Sequence, residues 1–126
     1  MERNLILYAE HSSKIRKSFS SCLKELFPEY ELELFSDGNS LKSRLMGELE
    51  KISLVITDDS MPGEWGLKIV KDCLPDEKYK PIKFILLSTS ALSVEEANKN
   101  GALGISKFYN RKKTFGMIGD YLNRKK

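Results

Sequence analysis

Two adjacent carboxylates, Asp58 and Asp59, stand where an apolar segment of the sequence stops. Residues 54–57 read Leu-Val-Ile-Thr, and residues 61–63, just after the carboxylates, read Met-Pro-Gly. An apolar, β-branched run that ends at Pro and Gly predicts a buried strand leading into a loop. In open α/β sheets ligands lie outside the carboxyl ends of the strands, where a carboxylate binds a cation or attacks phosphorus. We expect this role for Asp58, whereas Asp59 is expected to form the turn or cap the next helix.

A third acidic group, Glu10, has a similar position earlier in the chain. It follows the apolar run of residues 5–9 and precedes His11, the only histidine. The Gly-rich loop that binds the phosphates of nucleotides is not found after this run, so we expect no nucleotide or flavin cofactor. The two cysteines, Cys22 and Cys73, fall in helical patterns, which indicates reduced thiols rather than a disulfide or a zinc site.

The composition is typical of one globular domain. The 126 residues are 40% hydrophobic and 31% charged, enough for one core, so we expect residues 1–126 to form a single domain. No apolar run approaches the roughly 18 residues of a membrane helix, and no signal-peptide core is found, which predicts a cytoplasmic protein without membrane contact. Six of the 21 basic residues lie at 111–113 and 124–126. We interpret them as solvated helix ends that complement the helix dipole, and nucleic acid is not an expected partner.

Apolar runs and helical periodicity alternate along the chain. Strands are predicted at 5–9, 30–35, 52–57, 82–87 and 102–106, and helices at about 13–26, 41–49, 67–74, 93–100 and 114–122. Five such units predict an α/β fold, a doubly wound five-stranded parallel sheet with helices on both faces. In the flavodoxin-like strand order 2-1-3-4-5 the crevice lies between strands 1 and 3. That order brings Glu10 and His11 beside Asp58.

The order and spacing of these side chains resemble the receiver domain of two-component response regulators, the CheY-like family. The resemblance rests on Asp58-x-x-Met61-Pro62-x-x-x-Gly66 after an apolar third strand. It also rests on an acidic end to the first strand, a hydroxyl at the end of the fourth strand and a lysine near the fifth. The resemblance covers essentially the whole chain and implies the CheY-like three-layer sandwich.

On this resemblance Asp58 is the phosphoacceptor, Ser88 is the hydroxyl that engages the phosphoryl group, and Lys107 is the ammonium that pairs with it. A histidine kinase or a histidine phosphotransfer protein supplies the phosphoryl group, and a downstream protein target recognises the result. The resemblance thus implies a stand-alone signalling domain of a phosphorelay rather than an enzyme. A carboxylate attacks phosphorus only when the negative charges are neutralised, so a divalent cation and a lysine are expected to share the site.

The resemblance also implies a Mg2+ site formed by Glu10, His11, Asp58 and the backbone carbonyl of Ser60. Mg2+ prefers hard oxygen ligands. The family has two acidic residues, usually both Asp, where this chain has Glu10 and His11. Imidazole suits zinc, copper or nickel better than magnesium, so we expect weakened magnesium binding. The side chain of Glu10 is one methylene longer than that of Asp and can compensate in part.

The segment around the fifth strand departs from the family in two further ways. The run before Lys107 is one residue shorter than usual, and no Pro follows. At the position of the family's switch aromatic this chain has Ile105 and Ser106. Phe108 and Tyr109 are expected either to replace that aromatic residue or to pack against the last helix.

Two functions therefore stay open after the sequence has been considered. The first is a receiver that is phosphorylated on Asp58 and signals by protein contact. The second is a degenerate receiver that keeps the fold and binds its partner without phosphorylation, which the pair Glu10-His11 and the shortened fifth strand favour. A metal-dependent hydrolase is the least favoured reading, because one histidine and two carboxylates leave no second base.

Overall fold

The computed structural model describes residues 2–124 as alternating strands and helices. The strands are β1 (Leu5–Ala9), β2 (Glu31–Phe35), β3 (Ile52–Asp58), β4 (Lys83–Ser88) and β5 (Leu103–Ser106). The helices are α1 (Ser13–Leu26), α2 (Gly38–Leu45), α3 (Gly66–Cys73), α4 (Ala91–Lys99) and α5 (Arg111–Asn123), with a short 3-10 helix at Glu77–Tyr79. Within residues 2–124, no helix combines the length and the apolar character that crossing a membrane requires.

The five strands form one parallel sheet in the order β2-β1-β3-β4-β5. This confirms the predicted α/β fold with strand order 2-1-3-4-5. The register pairs Ala9 with Thr57 and Asp58 with Leu87, so β1, β3 and β4 end close to one another. Because parallel strands share their carboxyl edge, the residues that follow these strands lie together in space.

The sheet separates two apolar layers. Along β1, Leu7 packs in the layer that contains α2, α3 and α4, whereas Ile6 and Tyr8 pack in the layer that contains α1 and α5. Successive side chains of a strand point to opposite faces, which explains this alternation. Because helices cover both faces, β1 and β4 are buried at every position, and their sequences are correspondingly apolar.

Helices α4 and α5 begin earlier than the apolar pattern predicts. The Ser90 side chain accepts a hydrogen bond from the backbone N–H of Ser93 and caps α4, and Asn110 caps α5 by accepting one from Lys113. Such caps fix where a helix starts. The first turn of each helix is mostly exposed, so its residues carry no apolar period from which the start could be predicted.

The basic residues 111–113 form the first turn of α5 and are exposed. The expectation that they complement the helix dipole is therefore wrong for this cluster, because the N-terminal end of a helix is the positive end. That first turn contains no acidic residue. In the second basic cluster, Lys125 and Lys126 lie outside the described residues.

Candidate functional site

Lys107 connects two buried carboxylates at the carboxyl edge of the sheet. Its Nζ lies 2.8 Å from Asp58 Oδ1 and 3.3 Å from Glu10 Oε1. Asp58 is only 6% exposed and Glu10 only 2%, whereas the Lys107 side chain is 26% exposed. The structure thus brings together three of the residues that the sequence singled out, from the ends of β1, β3 and β5.

Burial and charge act against each other in this cluster. Burial raises the pKa of Asp58, and the negative charge of Glu10 raises it further. The hydrogen bond and the positive charge of Lys107 lower it, but the pKa of Asp58 is raised overall. Burial lowers the pKa of Lys107, but its hydrogen bond to Asp58 and the charges of both carboxylates outweigh this effect, and the pKa is raised. Two carboxylates face one ammonium here, so the pocket favours an additional positive charge.

Backbone hydrogen bonds hold Glu10 and Lys107 at the site. The backbone N–H of Lys107 donates to the Ser88 carbonyl at 2.9 Å, which continues the pairing of β4 with β5. Glu10 Oε2 accepts a hydrogen bond from the backbone N–H of Ser12 at 3.0 Å. The guanidinium of Arg16 donates to the Glu10 carbonyl at 2.7 Å. The start of α1 therefore fixes the direction of the Glu10 side chain, and the end of the sheet fixes that of Lys107.

Asp59 links the end of β4 to the start of α3. Its Oδ2 accepts a hydrogen bond from the Ser88 hydroxyl at 3.2 Å, and its Oδ1 accepts one from the backbone N–H of Leu67 at 3.1 Å. Asp59 thus acts at the N-terminus of the next helix, as the sequence predicts. The Ser88 hydroxyl also accepts a hydrogen bond from the backbone N–H of Ser90. Ser88 lies at the site, but its hydroxyl points to Asp59 and not to Asp58.

Neither His11 nor Ser60 makes a side-chain hydrogen bond or ion pair with Glu10, Asp58 or Lys107 in the described part of the chain. Both residues are exposed, and the His11 backbone carbonyl accepts a hydrogen bond from Arg16. Within residues 2–124, no three His, Cys, Asp or Glu side chains are grouped so that they could hold a metal ion. The buried carboxylates of Glu10 and Asp58 carry hard oxygen atoms of the kind that Mg2+ prefers. His11 and the backbone carbonyl of Ser60 as ligands both stay predictions.

Comparison with known proteins gives a clear answer for the fold. No protein-family model and no curated protein matches the sequence. The chemotaxis response regulator CheY4 of Vibrio cholerae superposes with a TM-score of 0.77 at 23% identity, over 93% of this chain and 97% of that chain. The signal receiver domain of a DNA-binding response regulator from Colwellia psychrerythraea gives a TM-score of 0.82 at 18% identity, over 96% and 99% of the two chains.

A third similar structure is the response regulator TrrA from Thermotoga maritima in complex with Mg2+-BeF, with a TM-score of 0.73 at 24% identity, over 93% and 97% of the two chains. The chain has the fold of a CheY-like response regulator receiver domain. The likeness extends over nearly the whole length of each partner, so the receiver fold accounts for essentially all of the described residues. The cluster of Glu10, Asp58 and Lys107 lies at the carboxyl edge of the sheet in this fold, where the strand order changes direction.

Glycines bring the loop that follows Asp58 close to the rest of the receiver fold. A Cβ atom added to Gly66 would lie 2.0 Å from the Asp58 carbonyl oxygen, and one added to Gly38 would lie 1.7 Å from the Glu64 carbonyl oxygen. Neither contact leaves room for a larger side chain. Met61 in the same loop is 4% exposed and packs in the core. The Met and Gly positions of the motif are therefore explained by packing around the Asp58 backbone.

The two aromatic residues after Lys107 differ in their surroundings. Tyr109 lies against the last helix, where the Nζ of Lys113 is 3.8 Å from the centre of its ring. Phe108 is 80% exposed, so the expectation that it packs against that helix is wrong. Ser106 ends β5, and its hydroxyl accepts a hydrogen bond from the backbone N–H of Phe108.

Sequence reasoning missed two residues next to the site. Arg16 holds the carbonyl of Glu10, and its only sequence signal was a basic residue one turn into the first helix. Tyr8 carries a hydroxyl that is buried inside the α1/α5 layer. The apolar run around Tyr8 predicted a core residue, which is correct for its ring but gives no indication of the surroundings of its oxygen.

Proposed function

We propose that this protein is a receiver that accepts a phosphoryl group on Asp58 and signals through contacts with other proteins. The single observation that supports this most strongly is the position of the Lys107 ammonium, 2.8 Å from Asp58 and 3.3 Å from Glu10. A lysine in that position can neutralise the negative charge that a phosphoryl group brings to the Asp58 carboxylate. The CheY-like fold supports the same role.

In the proposed reaction an oxygen of Asp58 attacks the phosphorus of a phosphohistidine on a histidine kinase or a phosphotransfer protein. The new P–O bond forms as the P–N bond breaks, and the imidazole leaves with the electron pair and takes up a proton. Lys107 pairs with the oxygens of the transferred group, because its ammonium already lies beside Asp58. The product is an aspartyl phosphate on this chain, so the protein is a phosphoacceptor and not an enzyme with a separate substrate.

A divalent cation belongs to this proposal. The carboxylates of Glu10 and Asp58, with the backbone carbonyl of Ser60, would hold Mg2+, which neutralises charge on the transferred group when it is bound. The buried position of both carboxylates favours such a cation, because two negative charges face one ammonium. The carboxylate oxygens of Glu10 and Asp58 suit Mg2+, which is a hard cation, whereas the imidazole nitrogen of His11 does not.

The proposed signal travels from Asp58 through Ser88 to the end of β4 and the start of α4. The Ser88 hydroxyl lies at the edge of the sheet and bonds the backbone of Ser90, which caps α4. If the hydroxyl turns to a phosphoryl group on Asp58, the cap of α4 moves with it. The partners we propose are a histidine kinase or phosphotransfer protein and a downstream protein target, all in the cytoplasm.

A degenerate receiver that binds its partner without phosphorylation is the second candidate. Two observations favour it: the exposed His11 replaces an acidic ligand, and the Ser88 hydroxyl is already engaged by Asp59. The two candidates differ in one property, namely whether a phosphoryl analogue binds at Asp58.

Beryllofluoride, a stable phosphoryl mimic, separates the two candidates. We expect beryllofluoride with Mg2+ to shift the backbone NMR signals of Ser88 and Lys107 and to change the fluorescence of Trp65, which is 56% exposed in the loop after Asp58. Asp58→Asn should abolish all three responses, and Asp59→Asn, as the matched control, should keep them. A wild-type protein that shows no saturable NMR response at millimolar beryllofluoride would instead be a degenerate receiver.

A further inference from the structure

A cavity lies beside the candidate phosphorylation site, between the start of α1, the sheet and the start of α5. Its volume is about 200 Å³, which is enough for a small organic molecule. Its walls include Ile15, Phe19 and Leu87, and its polar residues include Tyr8 and Arg111. The cavity also reaches the side chains of the Asp58 cluster, but most of its wall belongs to the α1/α5 layer.

Tyr8 lines this cavity, and its buried hydroxyl has no hydrogen-bond partner among the described residues. Tyr8 is fully buried, and within residues 2–124 its Oη makes no hydrogen bond. A buried hydroxyl without a partner is costly, and native proteins normally pair such groups. A tyrosine hydroxyl carries a proton near neutral pH, so it is available as a donor.

Arg111 is the second available group. It is the first residue of α5, and within residues 2–124 its guanidinium contacts only the sulfur of Cys22 at 3.5 Å and the ring of Phe19, 5.5 Å from its centre. It therefore has no carboxylate partner there, although it carries five N–H donors. It also lies at the positive end of a 13-residue helix whose first turn has no acidic residue. Arg111 and the helix end together attract an anion.

The Glu10 carboxylate that borders the cavity does not compete for this role. Its Oε1 accepts a hydrogen bond from Lys107, and its Oε2 accepts one from the backbone N–H of Ser12. The unused groups of Tyr8 and Arg111 are thus donors, and the ligand that they require is an acceptor. The walls of the cavity require that the rest of the ligand be apolar.

We infer that this cavity is a binding site for a small carboxylic acid with an apolar body. The carboxylate accepts hydrogen bonds from the Tyr8 hydroxyl and the Arg111 guanidinium, and the apolar body packs against Ile15, Phe19 and Leu87. The site is independent of phosphorylation on Asp58, so it stands or falls without the proposed function. Because the cavity borders Lys107, the ligand would lie beside the cluster of Glu10, Asp58 and Lys107.

Benzoate is a suitable probe, and benzylamine, which has the same ring and the opposite charge, is its matched control. In a titration of the full chain followed by backbone NMR, benzoate should give saturable shifts confined to the start of α1, the end of β4 and the start of α5. Arg111→Gln should weaken benzoate binding by about tenfold or more, and Tyr8→Phe by about fivefold. Lys112→Gln, which changes an exposed neighbour outside the cavity, should leave the affinity unchanged.

Tyr8→Phe provides a second measurement that does not depend on the ligand. Because the substitution removes an unpaired buried hydroxyl, the free energy of unfolding without benzoate should stay the same or increase. Weaker benzoate binding together with unreduced stability supports the site. Benzoate shifts that do not saturate, or equal binding of benzylamine, would overturn the inference. An affinity for benzoate that neither Arg111→Gln nor Tyr8→Phe reduces would also overturn it. So would a loss of stability in Tyr8→Phe, because it indicates a hydroxyl that is bound only to water.

Discussion

The Ser88 hydroxyl donates a hydrogen bond to Asp59, at 3.2 Å, and not to the adjacent Asp58. Asp59 is itself 4% exposed and holds the N-terminus of α3 through Leu67. The hydroxyl that we propose to engage the phosphoryl group is therefore held by a neighbouring carboxylate before phosphorylation. Asp58 and Asp59, adjacent in sequence, have different tasks: one pairs with Lys107, and the other positions Ser88 and α3.

Asp59→Ala should have two effects of opposite sign. It removes a helix cap and the acceptor of Ser88, so the free energy of unfolding should fall by about 1–2 kcal/mol. It also frees the Ser88 hydroxyl, so beryllofluoride should bind about fivefold more tightly. Urea denaturation and a beryllofluoride titration measure the two effects. Unchanged beryllofluoride affinity would show that the hydrogen bond to Asp59 does not restrain Ser88.

Lys107→Gln should destabilise the protein, because it leaves two buried carboxylates without their shared cation. We expect a loss of about 2 kcal/mol at pH 7, less than the roughly 3–5 kcal/mol for a fully buried pair, because Lys107 is 26% exposed. Denaturant unfolding measures this loss, and Lys112→Gln, an exposed lysine nearby, is the control. Equal stability of the two variants would contradict the proposed role of Lys107 in neutralising the pocket.

The raised pKa of Asp58 predicts a specific dependence of stability on pH. Because burial raises that pKa above the value of 3.8 for an unperturbed Asp, the folded protein binds the Asp58 proton more tightly than the unfolded chain does. This contribution to stability is therefore lost as the pH rises through the window that begins at 3.8. Asp58→Asn should be more stable than the wild type at pH 7, and the difference should shrink as the pH falls through that window.

Denaturant unfolding of both proteins over a series of pH values tests this expectation. The informative quantity is the difference between the two free energies of unfolding, because titrating groups that do not interact with Asp58 contribute equally to both curves. Parallel curves would indicate that burial does not raise the pKa of Asp58. The raised pKa of Lys107 acts elsewhere: its stabilising contribution is complete below its ordinary pKa of 10.5 and is lost above it.

His11→Asp should strengthen magnesium binding, because it replaces an imidazole with a hard oxygen ligand directly after Glu10 in the chain. We expect the Mg2+ affinity to increase by roughly tenfold, since ligand charge and number control the affinity of such sites. Titration with MgCl2, followed by Trp65 fluorescence or by backbone NMR, measures the affinity. His11→Asn, which has the same size without the charge, is the control. The same affinity in both variants would show that residue 11 does not face the cation.

Much of this fold could be predicted from the sequence because its signals are local. The apolar runs of β1 and β4 are buried at every position, so hydrophobicity alone located them. The turn after Asp58 was equally clear, since Pro62 and Gly66 fix its course. The strand order was taken from the flavodoxin-like class, and the observed order β2-β1-β3-β4-β5 sets the edge at which Glu10, Asp58 and Lys107 meet.

Other features depend on contacts that a linear pattern does not contain. Ser90 and Asn110 start two helices through side-chain caps on exposed turns. Lys83 is buried because its ammonium caps the end of α5 by donating to the carbonyls of Tyr121, Leu122 and Arg124. The Ser88 hydroxyl donates to Asp59 and not to the adjacent Asp58. None of these arrangements repeats with a period, so the apolar pattern of the sequence does not locate them.

Intact-mass analysis after incubation with acetyl phosphate and Mg2+ tests the central claim most directly. We predict that the wild type and Asp59→Asn each gain one phosphoryl group, whereas Asp58→Asn gains none. The Asp59→Asn control shows that the result depends on which of two adjacent, buried carboxylates is changed. A wild-type protein without the added mass, or an Asp58→Asn variant that still acquires it, would contradict the assignment of Asp58 as the phosphoacceptor.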